Sequence, residues 1–298
     1  MEPRELLKRI AELEKELAER DRDLGRFRSE LGKANQRLES LISQLQVELK
    51  TAHVIQKALV PTELPHIPGF EFSSKFVPSF VTGGDYFDIF EHEDRLRFGL
   101  ILASSSGHAM SALLLSVLLK LTSQMEARKG ADPHTVLMKM AQELVPNIPE
   151  NSSADVFYAM IDRRSFEMSY TKVGEVITLF QNYTTGEIQP LEAQAEAYQT
   201  SFNSKLKSKS IALNPRDRLI FCTRGVTEAK NLKGESFGIE RVIKTILEAP
   251  KLGVHELRNH LLYAVQKFTS TVEPSRDCTI LVVEVKDRVI KLAKNIQS

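Results

Sequence analysis

The sequence has no tryptophan and only two cysteines, Cys222 and Cys278, among its 298 residues. They form no CxxC pair, so they provide neither a disulfide framework nor a cysteine metal site, and we expect a reduced, cytoplasmic setting. Neither charge sign dominates, because 40 Lys and Arg stand against 39 Asp and Glu. This balance excludes bulk attraction to nucleic acid. No apolar run approaches the roughly 20 residues that span a bilayer, so we expect no direct membrane insertion.

Proline is also missing from residues 6–46, where charged residues are dense and apolar residues recur on a seven-residue frame. A strict 3.5-residue repeat keeps one seam of a helix facing a partner helix. We therefore predict a coiled coil over residues 1–48 that forms a parallel homodimer, either for dimerisation alone or for transmitting a signal as well. The seam residues are Ile10, Leu13, Leu17, Leu24, Phe27, Leu31, Leu38, Leu41 and Leu45.

The frame fades after residue 45, and residues 49–61 are predicted to form a linker helix that Pro61 ends. Residues 62–286 are predicted to mix short strands and helices, and residues 287–298 are predicted to form a C-terminal tail that contains a short amphipathic helix. Strands that follow each other directly indicate antiparallel sheets with helices outside them, an α+β fold. The predicted strands are 70–77, 96–102, 155–161, 166–173, 176–182, 210–213, 218–223 and 278–285, and the predicted helices are 110–128, one from 133, 239–247 and 254–268.

Four segments place small or charged residues at strand ends, where sites are usually built. They read TGGDYFD at 82–88, ASSSGHA at 103–109, CTRGVTEA at 222–229 and SRDCT at 275–279. Their order and spacing resemble the SpoIIE/RsbU branch of the PPM phosphatase family, which reads GGDYYD, GDVSGHG, TDGVTEA and DDIT. The resemblance covers residues 50–286.

The resemblance implies an α-β-β-α sandwich of two antiparallel sheets flanked by helices. It also implies that carboxylates in the four segments hold two manganese or magnesium ions. Such ions lower the pKa of a bridging water that attacks a phosphoserine or phosphothreonine.

Transferred by position, the resemblance leaves Asp85, Asp88 and Asp277 as candidate metal residues. At three further metal positions the family's aspartate is replaced, by Ser104, Arg224 and Arg276. A serine hydroxyl is neutral, and arginine is a permanent cation that cannot ligate a metal. We therefore expect no bound metal and no catalytic residues, and we expect the two arginines to pair with Asp85, Asp88 or Asp277.

Three functions fit this pattern. The first is a catalytically inactive, PPM-like regulatory protein that dimerises and binds a protein partner, which the resemblance suggests is a STAS-type anti-sigma-factor antagonist. The second is an active phosphoserine or phosphothreonine phosphatase with a rearranged manganese or magnesium site. The third is a coiled-coil structural module with a passive domain.

Overall fold

A computed structural model describes residues 3–79, 84–107, 109–126, 130–249, 253–270 and 274–286. The chain divides into two compact units, Met1–Thr51 and Ala52–Ser298. The sequence pattern placed the corresponding boundary after residue 48. The predicted tail, residues 287–298, lies outside the described residues.

The first element is the long helix α1, Pro3–Leu59, which at 1.5 Å per residue is about 85 Å long. Its end lies just before Pro61, which disfavours helical geometry in the preceding residue. The apolar seam is solvent-exposed in the single chain. Eight of the nine predicted seam residues, from Ile10 to Leu41, have exposed fractions between 46% and 70%, while the side chain of Leu45 is not described.

The second unit contains two five-stranded antiparallel sheets. The first sheet has the order β1-β10-β9-β6-β7 and the second has the order β2-β3-β4-β5-β8. The strands are β1 Phe70–Val77, β2 Asp85–Glu91, β3 Arg97–Ser106, β4 Ser153–Asp162, β5 Glu167–Val173, β6 Ile177–Gln181, β7 Ile188–Pro190, β8 Lys209–Ala212, β9 Arg218–Cys222 and β10 Cys278–Val285. This arrangement confirms the predicted sandwich of two antiparallel sheets.

Helices cover the outer faces of both sheets. The helices are α2 Ala109–Glu126, α3 Pro133–Leu144 with a 3-10 turn Val145–Asn147, α4 Arg224–Thr227, α5 Gly238–Leu247 and α6 Val254–Thr269. Helices α2 and α3 pack on the second sheet and share an apolar cluster with it. Helices α5 and α6 share another cluster with the first sheet. Among the described helices, none is long and apolar enough to cross a membrane.

The main core lies between the two sheets. It contains Phe87 from β2, Phe157 from β4, Phe221 from β9 and Leu281 from β10, all almost completely buried. Because side chains alternate between the faces of a strand, the neighbouring Tyr86 belongs to the cluster beneath α2 and α3 instead. The same alternation sends Asp85 to the inner face, at the start of β2.

The sequence did not predict β2, β7 or α4. Most of the other boundaries agree within a few residues, and β1 and β10 match the prediction. Both cysteines are buried, as expected of core residues. Strand pairing brings the four motif segments together at one end of the sandwich: Asp85 pairs with Ser104 across β2 and β3, and the end of β9 pairs with the beginning of β10.

Candidate functional site

The site is centred on the buried carboxylate of Asp85, which accepts three hydroxyl hydrogen bonds. Ser104 donates to Oδ1 at 2.7 Å, Thr223 donates to Oδ2 at 2.5 Å, and Thr279 donates to Oδ2 at 2.7 Å. Asp85 is 3% exposed and the two threonines are fully buried. Three donors of this kind stabilise a carboxylate that is withdrawn from water.

The second retained aspartate of this site, Asp277, is held by backbone amides. Its Oδ1 accepts from the N–H of Ser79 at 2.8 Å, and its Oδ2 accepts from the N–H of Asp85 at 3.3 Å. Gly225 allows the backbone to come this close, since a Cβ there would lie 1.9 Å from the carbonyl oxygen of Asp277. The backbone of Asp85 thus binds the Asp277 side chain directly, which keeps the two carboxylates close together.

Burial raises the pKa of the Asp85 carboxyl, and the negative charge of Asp277 raises it further, while the three hydroxyl hydrogen bonds work in the opposite direction. Burial also raises the pKa of Asp277, against the effect of its backbone hydrogen bonds. Both shifts have the sign that desolvation gives to an acid.

Arg224 begins α4 and lies against Asp155, a residue of β4 for which no site role was predicted. Its Nε is 2.7 Å from Oδ2 of Asp155, and its Nη2 donates to Oδ1 at 3.0 Å. Glu175 is also near, with 3.8 Å between Oε2 and Nη2, and its backbone N–H donates to Asp155 Oδ1. Gly174 has φ +73°, and a Cβ there would lie 1.9 Å from Asp155 Oδ1. A residue larger than glycine would therefore displace the carboxylate.

Arg276 pairs at the surface with Glu228, with 3.1 Å between Nε and Oε2, and both side chains are about 40% exposed. We predicted that Arg224 and Arg276 pair with Asp85, Asp88 or Asp277. Among the described residues their ion-pair partners are instead Asp155 and Glu228, so this prediction is wrong. The oxygens of Asp85 and Asp277 are already bound by hydroxyls and amides, and other carboxylates lie nearer to the two guanidinium groups.

The structure does not bring Asp88 together with Asp85. The two residues are three positions apart on β2, an odd spacing that puts them on opposite faces. Tyr86 Oη donates to Asp88 Oδ2 at 3.2 Å, and Ser123 of α2 donates to the same tyrosine oxygen. Asp88 thus lies on the helix side of the second sheet.

A small cavity lies beside the side chains of Asp85, Asp277, Arg224 and Arg276. It encloses about 10 Å³, roughly the volume that one water molecule needs. Its walls are formed by Gly84, Asp85, Ser104, Ser105, Ser106, Gly107, Ala112, Arg224, Gly225, Arg276 and Asp277. Within the described ranges, no group of three or more His, Cys, Asp or Glu side chains lies close enough together to hold a metal ion. Residues 80–83 and His108, which belong to or adjoin the first two motifs, lie outside those ranges.

Sequence reasoning missed the site roles of Asp155, Thr223, Thr279 and Glu228. One signal was available for Asp155, because an acidic residue inside an otherwise apolar strand requires a partner. The partner itself depends on tertiary structure, since Arg224 is 69 residues away along the chain.

Two solved structures with the same fold are PP2C domains. The SiaA-PP2C domain of Pseudomonas aeruginosa superposes with a TM-score of 0.68 at 18% identity, covering 83% of this chain and 98% of that one. The PP2C phosphatase domain of SpoIIE from Bacillus subtilis, with a fragment of its regulatory domain, gives a TM-score of 0.61 at 15% identity, covering 73% of this chain and 64% of that one. At these identities the likeness shows the fold alone.

Sequence comparison adds the family. Protein IcfG of Synechocystis is 24% identical over 227 residues, which cover 67% of this chain. The match covers 36% of IcfG, so the chain spans about a third of that relative's length. The family model of stage II sporulation protein E (SpoIIE) matches residues 94–286, well over half of the chain. The chain therefore belongs to the SpoIIE family, the SpoIIE/RsbU branch of the PPM-type phosphatases.

Proposed function

We propose that this chain is a catalytically inactive member of the SpoIIE family that acts in bacterial signalling by binding a protein partner. The observation that carries the proposal is the position of Arg224. The motif resemblance assigns this position to a metal-ligand aspartate, whereas the arginine is a cation that is engaged with the buried carboxylate of Asp155 at 2.7 Å. Replacing that aspartate with a guanidinium removes an anionic ligand and adds a positive charge at the same place.

The side chains of the site do not fit two manganese or magnesium ions. Such ions are bound by several oxygen ligands, mostly carboxylates, and often keep some of their waters. Here both oxygens of Asp85 accept from hydroxyl groups, and both oxygens of Asp277 accept from backbone amides. Ser104 offers a neutral oxygen, and Arg224 and Arg276 offer positive charge.

The proposal also includes a homodimer and a protein partner. The exposed seam of α1 supports a parallel homodimer, because eight described apolar side chains on a seven-residue frame are 46–70% exposed in the single chain. For the partner we propose a STAS-type anti-sigma-factor antagonist, on the strength of family membership. The retained sandwich would then provide a rigid binding surface.

The proposal is tested by assaying a phosphoserine peptide with millimolar manganese and by titrating manganese into the protein calorimetrically. We expect no turnover above an Asp85→Asn control and no manganese binding at micromolar concentration. Turnover that needs manganese and is abolished by Asp85→Asn would instead establish an active phosphatase. One observation favours that second candidate: Asp85 and Asp277 are both retained and line the same cavity.

Partner binding is tested separately, by comparing the binding of the 298-residue chain and of residues 49–298 to a STAS-type antagonist. Binding that survives as a monomer supports a role for the phosphatase-fold domain. Binding that is lost completely with residues 1–48 favours the coiled-coil module.

A further inference from the structure

The three hydroxyl groups around Asp85 come from both sheets. Asp85 and Ser104 belong to β2 and β3 of the second sheet, while Thr279 belongs to β10 of the first sheet and Thr223 directly follows β9. The bonds from Thr223 and Thr279 to Asp85 Oδ2 therefore cross from one sheet to the other. They lie at the end of the sandwich where the four motif segments meet.

We propose that Asp85, Ser104, Thr223 and Thr279 form a hydroxyl clamp, a metal-free cross-link that holds the two sheets together at this end. In an enzyme with two bound cations, shared metal ligation from several strands would perform that task. Here a single carboxylate performs it, with hydroxyl donors in place of ions.

The hydrogen bonds of the clamp form a connected network. Thr223 Oγ1 donates to Asp85 Oδ2 and also accepts from the backbone N–H of Thr279 at 3.0 Å. Each hydroxyl has one proton to donate, and in Thr223 that proton is directed to the carboxylate. Since a buried charge is costly without hydrogen bonds, Asp85 and its donors depend on one another.

A serine at position 104 is compatible with the clamp, whereas an aspartate there would not be. It pairs directly with Asp85 across β2 and β3, so an aspartate at position 104 would put a second carboxylate beside the first. Without a cation between them, two such charges repel each other in a buried site. The serine hydroxyl turns that repulsion into a hydrogen bond of 2.7 Å. The residue that removes a metal ligand thus also stabilises the carboxylate that remains.

The experiment is a set of chemical unfolding measurements on the 298-residue chain at pH 9, where Asp85, whose pKa burial raises to about 8, is ionised. The variants are Ser104→Ala, Thr279→Val and Asp85→Ala, alone and combined. Loss of a hydrogen bond to a charged group should lower the folding equilibrium constant by about ten- to a hundredfold for each hydroxyl. The matched control is Thr178→Val. Thr178 is also a buried threonine of the first sheet, but its hydroxyl donates to the neutral carbonyl of Leu191 at 3.0 Å, so we expect a smaller loss.

The decisive readout is the coupling between the substitutions. In an Asp85→Ala background, Ser104→Ala and Thr279→Val should have almost no further effect, because their acceptor is gone. If Asp85→Ala does not fold, Asp85→Asn removes the charge but keeps one oxygen acceptor, so the effects of Ser104→Ala and Thr279→Val should fall to the smaller values of neutral hydrogen bonds. Effects that simply add in the double variants overturn the clamp.

Metal dependence gives a second, independent readout. We expect the unfolding midpoint of the wild type to be the same in EDTA and in millimolar manganese. A midpoint that rises with manganese, and no longer rises in the Asp85 variant, overturns the clamp as a metal-free device. This inference shares its site with the proposed function, but the two can fail separately. If the stability changes of the double variants add and the protein has no phosphatase activity, only the clamp is overturned. If the stability changes are coupled and the protein turns over a phosphoserine peptide, only the proposed inactivity is overturned.

Discussion

The guanidinium of Arg224 and the carboxylate of Asp155 form an ion pair with 2.7 Å between Nε and Oδ2. Asp155 is 1% exposed, and burial raises its pKa while the charge of Arg224 lowers it. The arginine therefore compensates the charge of a buried carboxylate, which also interacts electrostatically with the buried Lys172. The identities of these two residues depend on each other.

Removing Arg224 should therefore destabilise the fold. Arg224→Ala leaves the buried Asp155 without its cation, and breaking a buried pair from one side costs about 3–5 kcal/mol. The side chain of Arg224 is 19% exposed, so we expect about 2–3 kcal/mol in the free energy of unfolding, measured with urea. Changing Asp155 to asparagine in the same chain should recover part of this loss, because the uncompensated charge disappears.

The matched control is Arg276→Ala. Its pair with Glu228 lies at the surface, with both side chains about 40% exposed, and exposed pairs contribute about 0–1 kcal/mol. If both variants lose the same free energy of unfolding, the buried partner of Arg224 does not strengthen its ion pair, and the prediction is wrong.

Carboxylates introduced at the three positions should create manganese affinity. Ser104→Asp, Arg224→Asp and Arg276→Asp together place three carboxylates beside Asp85 and Asp277, with Asp155 close to the new aspartate at position 224. Because a divalent cation of this kind prefers several anionic oxygens, we expect this variant to bind manganese and Asp155→Asn, added to it, to weaken the binding. Titration calorimetry measures both, and tight manganese binding by the wild type would contradict the expectation.

The sequence predicted those parts of the fold in which a local pattern decides the structure. Strand β1 alternates apolar and polar residues, and β10 is apolar throughout, so both were found with their boundaries. Strand β2 was missed because two aspartates interrupt its seven residues, Asp85–Glu91. Inside the sandwich, the first of these accepts hydrogen bonds from the hydroxyls of Ser104, Thr223 and Thr279, which are distant from it along the chain.

The partners of the arginines could not be predicted for a similar reason. Ser104 pairs with Asp85 on one side and with Asp155 on the other, so the two aspartates are separated by a single strand. Which of them Arg224 reaches depends on strand register and on the direction in which α4 leaves β9. Neither quantity can be read from residue spacing. The motif order therefore located the site, while the contacts within it came from the three-dimensional structure.

The oligomeric state can be tested at the seam of α1. Leu24→Glu and Leu31→Glu place charges on residues that are 50% and 66% exposed in the single chain and that we predict to face a partner helix. The double variant should be a monomer by light scattering, while the wild type is a dimer. Gly25→Glu and Gly32→Glu are matched controls, because they add the same charges one position outside the seam, with no atom within 4 Å. The coiled coil would be contradicted if the wild type were a monomer. It would also be contradicted if the glycine control variants became monomers while the leucine double variant stayed a dimer.

A last prediction concerns His92, which is 4% exposed and has its Nε2 3.2 Å from Tyr158 Oη. Burial, and then the positive charge of Arg97, lower its pKa to about 4, against the opposite effect of Asp94. In the unfolded chain a histidine has a pKa of about 6.5. Between these values the unfolded chain binds a proton that the folded one does not, so stability is lost as the pH falls from about 6.5 towards 4.

His92→Gln should remove this contribution. We expect the wild type to lose about 2 kcal/mol more than the variant when the pH is lowered across that range, measured as the difference between their free energies of unfolding at each pH. If His92→Gln and the wild type lose stability in parallel, the acid sensitivity of the domain arises elsewhere. The buried carboxylates Asp85 and Asp277 cannot replace His92 in this role. Their pKa values are raised by burial, so their protonation favours the folded state as the pH falls.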